Sequence, residues 1–112
     1  MEKLIRMNLL FDFYGQMLTE RQKKFIELYY SQDLSLGEIS EQYGVSRQSV
    51  YDTLKRSEQS LCAFEDKLGL MAKSLKDTDC LQRALAHLKS GSDSDIQKAK
   101  QILSDLIEAQ ER

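Results

Sequence analysis

The stretch Ser35-Leu36-Gly37-Glu38-Ile39-Ser40-Glu41-Gln42-Tyr43-Gly44-Val45-Ser46-Arg47-Gln48-Ser49-Val50-Tyr51-Asp52-Thr53-Leu54-Lys55-Arg56 carries two helix starts around one glycine, and its reading decides the fold. Ser35 is placed to accept from the amide of Glu38 while the Glu38 side chain returns to Ser35, a capping box; Leu34 and Ile39 complete it as a hydrophobic staple. Gly44 ends the first helix, because the reversal needs a residue at positive φ. Ser46 caps the second helix, with Val45 set to staple against Val50. Ile39, Tyr43, Val45, Val50 and Leu54 are spaced so that two steeply crossed helices bury one small seam, a helix-turn-helix. With Val50 and Leu54 inward, the helical period turns Gln48, Asp52 and Lys55 outward, flanked by Ser49, Tyr51 and Arg56. That is the face a recognition helix sets in a DNA major groove.

Upstream, eight of the eleven residues from Leu4 to Tyr14 are apolar, more than one face of a helix can hold. This first helix needs cover on more than one side, from the helix-turn-helix and the C-terminal helices, or in part from a second copy of the chain. Gly15 is its expected stop. Thr19 with Gln22 starts a second helix by the same capping logic, carrying Phe25, Ile26, Leu28, Tyr29 and Tyr30 and ending near Ser31. Arg21, Lys23 and Lys24 crowd its first turn, where the helix dipole disfavours cations. They are either phosphate contacts or a solvated face balanced by Glu20 and Glu27.

Downstream, Leu54, Leu61, Phe64, Leu68, Met71 and Leu75 fall on heptad positions with Ser57 as the one polar member. The recognition helix is therefore expected to run from Arg47 to about Lys76, about 45 Å, with a break at Gly69 as the alternative. Its seam is covered by the chain's own helices or by a coiled-coil partner. Asp77 is the expected cap of a further helix to about Lys89, burying Leu81, Ala84, Leu85 and Leu88. A loop, Ser90-Gly91-Ser92-Asp93, leads to a last helix from about Ser94 that buries Ile96, Ala99, Leu103, Leu106 and Ile107. The two form an antiparallel hairpin against the long helix.

The expected architecture is thus all-α: one helical domain over residues 1–112, a helix-turn-helix at 35–56 within it, and a helical extension over about 57–112. The absence of proline and the presence of only five glycines agree, and 41% hydrophobic residues supply a modest core. A net charge of −2 and a pI near 5.4 run against strong phosphate attraction, and within residues 35–56 the charges of Arg47, Lys55 and Arg56 are balanced by Glu38, Glu41 and Asp52. Any DNA binding is then weak per module.

Cys62 and Cys80 match no metal-ligand spacing and read as buried thiols of a reducing cytosol. The N-terminal apolar run is too short for a bilayer and lacks the basic start and cleavage site of a signal peptide, so a cytoplasmic location is expected. His87, the single histidine, has no partner constellation around it. No nucleophile motif, phosphate-cradling glycine loop or paired acidic site is present, which argues against an enzyme, a cofactor, a metal or a small-molecule substrate.

Through Leu18-Thr19, Arg21-Gln22, Leu28-Tyr29-Tyr30, Leu36, Glu38-Ile39, Tyr43-Gly44-Val45-Ser46-Arg47 and Val50, residues 18–56 resemble the promoter-binding fourth region of sigma-70 type factors. With the apolar first helix and Glu65-Asp66-Lys67-Leu68-Gly69-Leu70 included, the whole chain is similar to the YlxM family of small bacterial helix-turn-helix proteins. The resemblance implies a sigma-region-4-like fold. Genes of that family tend to lie beside those of the signal recognition particle, which implies a regulatory or accessory role in that pathway. Carried over by position, Ser46, Arg47, Gln48, Ser49, Tyr51, Asp52, Lys55 and Arg56 would meet DNA. Sigma proteins usually place arginines where Tyr51 and Asp52 stand, and Asp52 is free to pair with Lys55 or Arg56 instead. No separate polymerase-gripping domain fits, which excludes an independent initiation factor.

Two readings follow. In the first, a regulator docks its second helix in the major groove, alone or as a homodimer. In the second, the helix-turn-helix is a scaffold, and the apolar first helix or the long seam binds a protein or ribonucleoprotein partner.

Overall fold

A computed structural model describes residues 1–111, which form six α-helices and no β-strand. They are α1 (Lys3–Tyr14), α2 (Glu20–Ile26), α3 (Leu36–Tyr43), α4 (Arg47–Leu68), α5 (Leu70–Ser90) and α6 (Asp93–Gln110). The all-α class expected from composition and periodicity is the one observed. The helices fall into two compact units, the first Met1–Met71 and the second beginning at Ala72.

The local grammar of the first unit is carried out as written in the sequence. Thr19 and Gln22 form a capping box at α2, and Ser35 and Glu38 form another at α3. The Ser46 side chain accepts from the Ser49 amide at α4. Gly44 sits at φ 65° between α3 and α4, a conformation that a Cβ would strain. Gly15 differs from expectation. It is right-handed, at φ −57°, and leads into a short 3-10 turn, Gly15–Met17. Its lack of a side chain answers a need for space, since a Cβ there would lie 2.9 Å from the Phe11 ring.

The second helix reaches Ser31, as its apolar pattern requires, by widening into one π turn over Glu27–Ser31. The extra residue per turn keeps Leu28 and Tyr30 both inside while Tyr29 stays outside. These side chains join Met7, Leu10 and Tyr14 of α1, Phe25 and Ile26 of α2, Ile39 of α3, and Val50, Leu54 and Leu61 of α4 in one core. Phe25 meets the half-buried Tyr43 edge-on at 5.0 Å between ring centres, tying α2 to the end of α3.

The long helix stops at Leu68. Gly69 adopts φ 64° and a new helix begins at Leu70, so the break is realised and the continuous helix to Lys76 is not. The seam is buried within the first unit at Leu54, Ser57, Leu61 and Met71, whereas Leu68 and Leu75 face outward. Asp77 caps nothing. It lies inside α5, where its carboxylate takes the Lys73 ammonium at 2.8 Å, one turn back.

The start of α5 is instead fixed by a buried carboxylate. Glu65 Oε1 accepts from the Tyr14 hydroxyl at 2.6 Å and from the Met71 amide at 2.9 Å. The same hydroxyl accepts from the Leu70 amide at 3.0 Å. Amides orphaned by the helix start thus find acceptors without water. Burial and the bond to Glu65 push the Tyr14 phenol above its ordinary value.

In the second unit, Ser92 caps α6 by accepting from the Asp95 amide at 3.1 Å. Asp95 also takes the Ser90 hydroxyl, and it lies 3.0 Å from His87 Nδ1. These bonds, Ser90 first, hold its carboxyl below the usual range. His87 therefore closes the turn of the hairpin. Ala84 and Ala99 are buried, but Leu81, Leu85, Leu88 and Ile107, expected inside, are about half exposed. Two helices meeting over alanines come close along a narrow line, and the larger side chains on either flank stay in water.

Candidate nucleic-acid interface

The turn at Gly44 and the cap at Ser46 present the first three turns of α4 on the outside of the first unit. Val50, Thr53 and Leu54 point into the core, which leaves Ser46, Arg47, Gln48, Tyr51, Asp52 and Arg56 exposed and Ser49 and Lys55 half-buried. The eight residues singled out from the sequence therefore share one edge of the helix. Ser46 is engaged as the cap, so its contribution is to the helix start; Arg47 and Gln48 carry the amides that no cap claims.

The pairing among them is specific. The Gln48 amide group donates to Asp52 Oδ1 at 2.9 Å, one turn along. Asp52 is thus committed to Gln48, and the expected pairing with Lys55 or Arg56 does not form. Arg56 has no ion-pair partner among the described residues. The Lys55 ammonium lies 5.6 Å from the centre of the Tyr51 ring and 4.0 Å from Glu58 Oε1.

Arg47 is positioned from the neighbouring helix. Its guanidinium lies over Gly37 in the first turn of α3, where an added Cβ would come within 3.1 Å of Nε and of a terminal nitrogen. Gly37 reads in the sequence as an ordinary helical glycine, and nothing in the spacing marks it as the seat of Arg47.

The second group that the sequence left unread is Glu58. It is buried on α4, accepts from the Tyr30 hydroxyl at 2.7 Å and binds the Lys3 ammonium at 3.0 Å. Burial, then the bond to Glu58, pushes the Tyr30 phenol far up, and the same carboxylate raises Lys3. Lys3, Tyr29, Tyr51 and Lys55 rim a cleft of about 140 Å³ with Glu58 among its walls. Two lysines near the candidate face are therefore partly neutralised from within.

The basic turn of α2 is largely used inside the molecule. Arg21 stacks over Phe25 and Tyr43, at 5.7 and 5.8 Å from their ring centres, and Lys23 lies 3.5 Å from Glu20. Lys24 is exposed. The solvated-face reading of this turn fits that geometry better than a phosphate clamp.

Among the described residues no cluster of His, Cys, Asp and Glu is arranged to hold a metal ion, and no helix is long and apolar enough to cross a membrane. Cys62 and Cys80 are free and half-buried.

Fold and site together define a small helix-turn-helix protein. Residues 1–105 match the family model UPF0122, described as "Putative helix-turn-helix protein, YlxM / p13 like", and the chain belongs to that family. It is 49% identical over 113 residues to a UPF0122 protein of Desulforamulus reducens, covering 96% of each chain. It is 46% identical to the UPF0122 protein YlxM of Bacillus subtilis, over all of this chain and 96% of that one. A UPF0122 protein of Listeria innocua is 56% identical over 72 residues, 64% of this chain and 66% of its own.

Proposed function

We propose that the protein is a cytoplasmic, non-enzymatic DNA-binding regulator that sets the start of α4 in the major groove. The observation that carries this reading is the seating of Arg47 over Gly37 beside the uncapped amides of α4, which aims a guanidinium and two N–H groups from one edge. Arg47 and these amides hold phosphate. Gln48 reads a base edge, adenine being the partner its amide matches bidentately, after exchanging its bond to Asp52. Ser49 and Tyr51 lie beside it, and Lys55 and Arg56 add phosphate contacts. The near-neutral motif makes each contact weak, so useful affinity calls for two modules, about 34 Å apart on one face of the duplex. A regulatory or accessory role toward the signal recognition particle fits the family.

A second reading is supported by the Gln48–Asp52 bond and the cancelled lysines: the helix-turn-helix is a scaffold, and the chain binds a protein or ribonucleoprotein partner through exposed apolar surface such as Leu4 and Ile5 of α1.

Binding to random duplex and to the promoter region of the protein's own operon, across a salt series, separates the two. The regulator reading expects affinity that falls steeply with salt, prefers the operon DNA, and drops with a shallower salt slope in the Arg47→Ala, Lys55→Ala double variant. No binding at low salt, or a double variant that binds like the parent, sinks it.

A further inference from the structure

The α5–α6 hairpin has two unlike sides. On one, Lys73, Lys76 and Arg83 of α5 and Ile102, Asp105 and Leu106 of α6 border the cleft between the helices. Helical spacing turns a second set the other way: Leu81, Leu85 and Leu88 at i, i+4 and i+7 on α5, with Ile96, Leu103 and Ile107 on α6. The exposures there are 49% for Leu81, 52% for Leu85, 47% for Leu88 and 59% for Ile107. Four half-open aliphatic side chains leave on the order of 400 Å² of apolar surface in water, within the range of the largest patch a monomer usually shows.

From this face we infer that a second copy of the chain covers it, two hairpins closing into an antiparallel four-helix bundle about a two-fold axis. Area and charge both select that occupant. A two-fold axis doubles the apolar patch, and a polar rim brings it toward the roughly 1,200–2,000 Å² of a specific interface. α5 carries Lys73, Lys76, Arg83 and Lys89 against Asp77 and Asp79, whereas α6 carries Asp93, Asp95, Asp105 and Glu108 against Lys98 and Lys100. One helix is net positive and the other net negative. Setting α5 of each copy beside α6 of the other therefore satisfies charge twice over, which an unrelated partner would have to match independently. The inference concerns the hairpin alone and does not depend on DNA binding.

The test is the oligomeric state of the full chain in the absence of DNA, by sedimentation equilibrium from 1 to 100 µM, roughly the range in which such small interfaces form. The parent should be a dimer at the upper end, with a melting temperature that rises with concentration. Leu85→Glu should be monomeric over the whole range, with a melting temperature independent of concentration. The milder Leu81→Ser, Leu88→Ser pair should weaken the dimer at least tenfold, which reads the same surface without a buried charge. Ile5→Glu, on the exposed side of α1, should leave the dimer intact. A monomeric parent at 100 µM would overturn the inference, as would dimers that survive both hairpin variants or that are lost in Ile5→Glu.

Discussion

The two units of this chain are made of similar helices and meet water in opposite ways. In the first, four helices cross so that Leu10, Phe25, Ile39, Val50 and Leu61 are wholly buried, and even its carboxylates Glu58 and Glu65 are drawn in against tyrosine hydroxyls. In the second, two helices of greater combined length bury two alanines and leave their leucines half open. An amphipathic stripe becomes a core only where a third element covers it. The first unit supplies that element through α1 and α2; the hairpin by itself has none.

The largest effect that tests this contrast comes from paired truncations. Leu61→Ala should cost about 2–5 kcal/mol, since it opens a cavity in a closed core, whereas Leu85→Ala in dilute solution should cost less than about 1 kcal/mol. Urea unfolding of both variants measures the difference, and equal costs would erase it. Glu65→Ala comes next, at about 1–3 kcal/mol, because the Tyr14 hydroxyl and the Met71 amide lose their acceptor together. Hydrogen exchange should then quicken at Leu70 and Met71 while the amides of α6 are unchanged.

Alkaline pH offers a way to open the first unit selectively. The Tyr14 and Tyr30 phenols are raised in the folded state, so folding favours their protonated forms. Their contribution is fully present below the ordinary phenol value of 10.0 and is lost as pH rises from there toward the folded values. Stability should therefore fall above about pH 10, and Tyr30→Phe should flatten part of that fall; a melting series from pH 8 to 11 decides. The smallest effect is at the rim. Gly37→Ala should gain up to about 1 kcal/mol from helix propensity while displacing Arg47, so that stability rises as DNA affinity falls. A parallel change in both would mean that Arg47 does not depend on its seat.

Much of the first unit was legible because its boundaries are local. Ser35 with Glu38, Thr19 with Gln22, Ser46 and Gly44 each act within a few residues, and each does in the fold what its spacing says. The helix joint was harder. Gly69 was visible as a weak point, but the group that makes α5 start there, Glu65 with Tyr14, spans 51 residues, and no periodicity reports such a pair. Asp77 misled for the same reason: a short polar side chain can cap or can pair with Lys73, and a helix already begun upstream settles it. At the candidate interface the outward face of α4 followed from Val50 and Leu54, but the engagement of Asp52 by Gln48 and the seat of Arg47 are choices among near neighbours that spacing leaves open.

The Tyr14–Glu65 bond also sets a schedule for folding during synthesis. The hydroxyl that completes the joint leaves the ribosome early, within the first helix, and its partners follow only when Glu65, Leu70 and Met71 emerge. Until then α1 has its inner face waiting and the turn at Gly69 has no lock. The nascent chain accordingly cannot finish its first unit piecemeal; it closes as one event, after nearly two-thirds of the protein has been made.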